Sequence, residues 1–279
     1  MMKNLLVKTH EAWLATLMAA FMSKKTENKR VLTEFSDILW RHFTWIENDL
    51  IKKGVDYDYD RENIPVKVER LSVMIGDIVR RMNDLEMLLV RCDDAALKDR
   101  IRTDLEYMRY ALGRLEDEEV RAFDMSRTYR DIELDKEATD ALTLFLFEES
   151  YKEYELIMIY NYLKAHSDDA YLNRIFQILI DESFFHLRSF GEMMAKMGIL
   201  AVPRVVMKEL YEVEDVVTFL KDGIDEELAA KEECKKLSDA VGKDSVMLSK
   251  FFDFINHQEN YHIALMKDAL AHYEKGHNG

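Results

Sequence analysis

In the second half of the chain, glutamate and histidine interrupt otherwise apolar helical seams at matching places. Taken in heptad steps, residues 138–166 present Leu142, Leu146, Glu149, Glu153, Leu156, Tyr160 and Leu163, and residues 169–197 present Leu172, Ile175, Leu179, Glu182, His186, Ser189 and Met193. Residues 214–241 present Val216, Leu220, Gly223, Glu227, Ala230, Cys234 and Leu237, and residues 244–274 present Leu248, Phe252, Ile255, Glu259, His262 and Met266. Counted from the turns near Ser167 and Gly242 at about 1.5 Å per residue, Glu149, Glu182, His186, Glu227, Glu259 and His262 reach similar depths. A single Glu-x-x-His on a helix is more often a solvated pair than a ligand set. Four seams that agree in position, depth and charge point to one buried site.

Buried carboxylates are costly without partners, and none of these seam positions is Lys or Arg. The sequence therefore predicts a cation supplied from outside. Four glutamates and two neutral imidazoles are balanced by two divalent ions. Mixed carboxylate and imidazole donors suit iron or manganese, with geometry rather than affinity choosing between them and zinc. A hydrated polar layer is the plainer alternative. Glu153, which lies on the seam, and Glu226 stand behind the six as extra ligands or as groups that orient ligands. Tyr151, Tyr160 and Tyr261 could orient ligands by hydrogen bonding, although helical tyrosines usually just pack. Cys234 reads as an inert core thiol.

The elements that must position these residues are helices. Glycine contributes 9 and proline 2 of 279 residues, against ordinary usage of roughly 7% and 5%, so frequent tight turns are ruled out. Sandwiches, barrels and nucleotide-binding α/β folds become unattractive. Apolar residues recur at helical spacing over about 4–23, 28–53, 64–91, 95–119, 138–166, 169–197, 214–241 and 244–274. Pro65 and Pro203 fall in the longer connections after the second and sixth stretches. Two short turns around one longer link is the layout of a four-helix bundle with a crossover, and it occurs twice. The predicted domains are 1–125 and 136–275, joined through the acidic stretch from Glu116 to Lys136.

A weak internal repeat agrees. Asp37-Ile38-Leu39-Trp40-Arg41-His42 aligns with Asp181-Glu182-Ser183-Phe184-Phe185-His186, and Gly54 follows His42 at the same interval as Gly198 follows His186. Glu106-Tyr107-Met108-Arg109 likewise aligns with Glu259-Asn260-Tyr261-His262. Leu5 then stands for Glu149, Ile38 for Glu182, Arg80 for Glu227 and Arg109 for His262, leaving only His42 and Glu106. Two arginines against one glutamate cannot hold a dication. The first half is expected to bind no metal, its site replaced by an ion pair and apolar packing, with His42 a satisfied core histidine.

A net charge of −15 disfavours nucleic acid and membrane surfaces as partners. Cys92 and Cys234 form no C-x-x-C, so neither a disulfide framework nor a rubredoxin-type site is encoded, and a reducing cytoplasm is the expected setting. The near-apolar run from Ala12 to Met22 is shorter than the roughly 20 residues of a membrane span and reads as part of a buried helix.

The second half resembles the ferritin-like di-iron carboxylate proteins, nearest the rubrerythrin group, in which two helices give one Glu each and two give Glu-x-x-His. Glu259-Asn260-Tyr261-His262 matches that motif, and Glu149 and Glu227 match the single-glutamate positions. Glu182-Ser183-Phe184-Phe185-His186 departs from it by one residue, though both groups keep one helix face. The resemblance covers about 138–274 by motif and the first half by architecture alone. It implies an all-α chain of two tandem ferritin-like four-helix bundles, the first degenerate. It also implies a two-iron centre, with manganese as the substitute, and no catalytic group apart from the metal ligands.

The activity so implied is reaction with dioxygen or hydrogen peroxide, of ferroxidase, peroxidase or oxygenase type, in oxidative-stress or iron handling. Electrons then come from an external donor, and a homodimer is compatible. The competing expectation is a non-catalytic chain with a structural metal and a first bundle that docks another protein.

Overall fold

The computed structural model describes residues 2–62, 64, 70–123, 129 and 131–277. These residues are predominantly helical, with no strand among them beyond two isolated bridges. The helices are α1 Met2–Met22, α2 Thr26–Lys52, α3 Leu71–Leu89, α4 Ala95–Leu112, α5 Lys136–Ala165, α6 Ala170–Met197, a short α7 Lys208–Tyr211, α8 Val216–Gly242 and α9 Val246–His277. None is long and apolar enough to cross a membrane.

Capping residues explain several boundaries. Asp94 accepts from the Leu97 amide, Asp135 from the Ala138 amide, and Asp215 from the Val217 and Thr218 amides, satisfying donors that the first turns of α4, α5 and α8 leave open. Gly54 closes α2 at a φ of 62°, where the Val55 amide reaches Leu50 O at 3.0 Å and the Gly54 amide reaches Ile51 O at 2.9 Å. Gly198, its repeat counterpart after α6, has a φ of 69°. Both glycines therefore occupy the left-handed region that an L side chain resists.

The chain divides into two compact units. The first comprises Met1–Met125 with Gly198–Lys208, and the second Ser126–Met197 with Glu209–Gly279. In the first, α1 packs on α2 and α3, and α4 packs on α2 and α3; in the second, α5 packs on α6 and α8, and α9 packs on α6 and α8. Each set of four long helices thus closes a ring of neighbours around one core, built on Trp13, Phe35 and Phe43 in the first unit and on Tyr154, Phe176, Phe190 and Phe252 in the second.

Three details differ from the sequence expectation. Helix α4 stops at Leu112 rather than running to 119, because Gly113 follows and Glu118 and Glu119 turn back to pair with Arg70 and Leu71. The start of the expected third helix, with Pro65, lies outside the described residues, and α3 begins at Leu71. The segment Gly198–Lys208, expected as a crossover of the second bundle, groups with the first unit, where Arg61 donates to Pro203 O at 2.6 Å.

Candidate metal centre

Glu259 and His262 sit one turn apart on α9, both buried, with His262 Nδ1 2.7 Å from Glu259 Oε2. Glu227 comes from α8 and brings Oε1 within 3.5 Å of the same nitrogen. Glu227, Glu259 and His262 form one group of donors whose atoms all lie within 4.8 Å of one another. Gly223, one turn before Glu227, permits this approach of α8 to α9, since a Cβ there would meet the Met266 sulfur at 3.2 Å.

A second set of donors adjoins the first. His186 of α6 is fully buried, and its Nδ1 lies 2.7 Å from Glu153 Oε1 of α5 and 3.9 Å from Glu259 Oε1. The two imidazole rings are 5.5 Å apart between centroids. Glu259 therefore directs one oxygen towards each histidine. Phe190 stacks on His186 at 5.9 Å and, with Phe145, walls the site with apolar surface.

The remaining sequence candidates divide. Glu182 lies at the rim, its side chain 30% exposed, with Oε2 3.8 Å from His262 Nε2. Glu149 is buried, but Lys152 holds its Oε1 at 2.9 Å. Glu153, expected behind Glu149, is the α5 carboxylate that touches a histidine of the cluster. Glu226 and Tyr261 are exposed. Tyr160 is fully buried, and its phenol is pushed well above its ordinary pKa by burial first and then by the charges of Glu227, Glu153 and Glu259. Cys234 is a buried thiol whose pKa is raised by burial and the same carboxylates, as an inert core thiol requires.

Electrostatically, the site is less negative than a count of glutamates suggests. Burial lowers the pKa of both histidines, but their carboxylate neighbours more than offset it. His186 rises to about 9, chiefly through Glu153, and His262 to about 11, through Glu227 and Glu259. In the metal-free protein these carboxylates therefore favour the protonated form of both rings. Lys152 adds a further cation at Glu149, although no seam position is basic. Burial lifts Glu259 to about 8; burial also raises Glu227, but His262, 3.5 Å away, and Glu259 outweigh it and hold Glu227 low.

The net charge therefore does not by itself demand a cation. Buried atoms left without a hydrogen bond do point to a ligand: Glu153 Oε2, Glu259 Oε2, His262 Nε2 and the Tyr160 hydroxyl. Glu259 Oε2 is close enough to His262 Nδ1 for an ion pair, yet off the line a hydrogen bond needs. Of the residues carrying these atoms, Glu259 and His262 belong with Glu227 to the one group of donors among the described residues close enough together to hold a metal ion, and carboxylate with imidazole is a donor set that iron, manganese or zinc accepts.

The first unit arranges its polar residues differently. Leu5 and Ile38 are buried and apolar, as expected. Arg80 is exposed and pairs with Asp77 at 2.5 Å, Arg109 pairs with Glu86 at 2.7 Å, and Glu106 faces solvent. The groups that point inward are Asp104, 2.9 Å from His42 Nε2, and Glu11, 3.1 Å from Arg81. An ion pair does occupy this core, but between residues the repeat alignment did not select. His42 is bonded through Nε2 only, since Nδ1 has no hydrogen-bond partner.

Two residues of the second unit escaped sequence reasoning. Lys152 stands three residues after Glu149, a spacing that helical neighbours share, and that signal was available. Gln258 lies off the α9 seam, and nothing but its adjacency to Glu259 marks it. Comparison with known proteins yields no relative: no family model, curated protein or solved structure matches this chain.

Proposed function

We propose that the chain is two tandem ferritin-like four-helix bundles, and that the second holds a dinuclear metal centre, iron or manganese, that reacts with dioxygen or hydrogen peroxide using electrons from an external donor. The observation that carries this reading is Glu259, whose two oxygens are directed towards His262 Nδ1 at 2.7 Å and His186 Nδ1 at 3.9 Å. A carboxylate so shared, with Glu227 beside one ring and Glu153 beside the other, supplies donors for two adjacent cations. The closed ring of α5, α6, α8 and α9 supports the bundle.

When bound, two ferrous ions supply the two electrons that reduce a peroxide bond. The chain's own residues do the rest. Glu153, Glu227 and Glu259 would hold charge against the metal, and His186 and His262 would each offer it a ring nitrogen. Phe145 and Phe190 keep bulk water from the centre. Tyr160 offers an unpaired O–H from within the apolar wall. Glu182, partly exposed, is the carboxylate of the set that reaches solvent.

The test is anaerobic loading of the full chain with ferrous iron, followed by stopped-flow mixing with hydrogen peroxide or air. Near-ultraviolet ferric absorption growing within seconds, and absent in Glu259→Ala, supports the reading. Two ions bound but inert for minutes to both oxidants identify a structural metal instead. Retention of two ions by a Glu182→Ala, Glu259→Ala double variant rejects the ligand set.

A further inference from the structure

Gln258 of α9 reaches across to α6 and uses both ends of its amide there. Its Nε2 donates to Glu182 Oε2 at 3.1 Å, and its Oε1 lies 3.3 Å from His186 Nε2. These contacts fix one another. An ionised carboxylate only accepts, so the NH2 must face Glu182, which leaves the carbonyl oxygen for His186. A carbonyl oxygen only accepts, so His186 Nε2 must carry a hydrogen. Turning the amide over would set oxygen against carboxylate and N–H against N–H. The other ring nitrogen, Nδ1, then faces Glu153 Oε1 at 2.7 Å and Glu259 Oε1 at 3.9 Å.

We propose that Gln258 is a positioning residue that turns Nδ1 of His186 into the metal centre and holds Glu182 at the rim. It thereby accommodates the Glu-x-x-x-His spacing of α6. This rests on the metal-centre reading above. On α9 the three-residue spacing of Glu259 and His262 brings Nδ1 and carboxylate together without help, at 2.7 Å. On α6 the two groups are one residue further apart in sequence, and the amide of Gln258 spans them. Both rings consequently present Nδ1 to the same carboxylate. Because Gln258 directly precedes Glu259, one turn of α9 carries both the shared carboxylate and the clamp.

The experiment loads the full-length protein with Zn2+, a diamagnetic probe, and reads the histidine ring nitrogens by 15N NMR. The wild type is expected to show His186 coordinated through Nδ1 with a protonated, hydrogen-bonded Nε2. Gln258→Leu should lose that signature, with Zn2+ affinity falling about 10- to 100-fold while far-ultraviolet circular dichroism stays unchanged. Gln258→Glu keeps an acceptor for Nε2–H and should retain the Nδ1 signature although it repels Glu182. If the leucine variant misfolds, Gln258→Ala repeats the test without the bulk. An unchanged His186 signature and affinity in the leucine or alanine variant would overturn the role of Gln258. A wild type that takes up no Zn2+ overturns the metal centre itself, a separate and distinguishable result.

Discussion

Lys152 Nζ lies 2.9 Å from Glu149 Oε1 and 3.4 Å from Glu148, so the first carboxylate of the α5 seam is engaged by a lysine of its own helix. Burial still lifts the Glu149 pKa above the ordinary carboxylate range, with Lys152 working against it. Glu153, one turn on, contacts His186 instead and leaves Oε2 without a partner. On the metal-centre reading proposed above, this relationship ranks Glu153 ahead of Glu149 as a ligand. Isothermal titration with Mn2+ should find affinity reduced about 10- to 100-fold in Glu153→Gln and by less in Glu149→Gln. The reverse order would mean that Lys152 releases Glu149 when metal enters.

The raised histidines give the metal-free protein an alkaline weakness. His186 titrates near 6.5 in an unfolded chain and at about 9 in the folded one, so the folded protein holds the proton more tightly. The stability this confers is complete below pH 6.5 and is lost as pH rises through about 9. His262 acts in the same sense up to about 11. Urea midpoints of chelator-treated protein should fall between pH 7 and 9.5, and the fall should be shallower in His186→Gln. A flat profile in the wild type would show that neither ring is charged in the fold.

A depressed carboxylate outside the site gives the opposite profile. Asp117 accepts from the Ser72 amide and from Arg70, which tie the start of α3, and these bonds lower its pKa to about 2. Its contribution is present above the unfolded value near 3.8 and disappears as pH falls through about 2. Asp117→Ala should lower the urea midpoint at pH 7, and the gap from wild type should close between pH 4 and 2. A gap that persists at pH 2 would assign the effect to helix contacts rather than to charge.

Much of this architecture was legible because long helices repeat their apolar residues every three or four positions; of the seam residues, Glu227, Glu259 and His262 come together as one group, while Glu182 stays at the rim and Glu149 is held by Lys152. What escaped lay off the seams. Lys152 and Gln258 have reach that periodicity does not describe. In the first unit the repeat alignment selected Glu106 by its match to Glu259, yet Ile101, Leu105, Met108 and Leu112 define the buried face of α4, and Asp104 lies on that face. Helical phase, rather than residue identity, carried the information. The same error selected Arg80, whose neighbour Arg81 is the arginine buried against Glu11. The count of glutamates left out one thing: imidazoles beside carboxylates have their pKa raised, which offsets part of the negative charge in the metal-free protein.

The His42–Asp104 pair is the buried histidine contact of the first unit that bears on the repeat. It is buried, bonded at 2.9 Å, and burial lowers the His42 pKa although Asp104 works against the shift. No third carboxylate or histidine of the described residues joins it within metal-ligand range. The pair thus lies apart from the group of donors in the second unit. On the proposed reading His42→Gln in the full chain should leave the bound-metal stoichiometry unchanged by mass spectrometry, while costing about 1 kcal/mol of stability, since Asp104 loses the His42 bond but keeps Arg100 at 3.1 Å. Loss of metal on that single substitution would show that the first unit holds a ligand, and that the repeat preserves more of its chemistry than Leu5 and Ile38 allow.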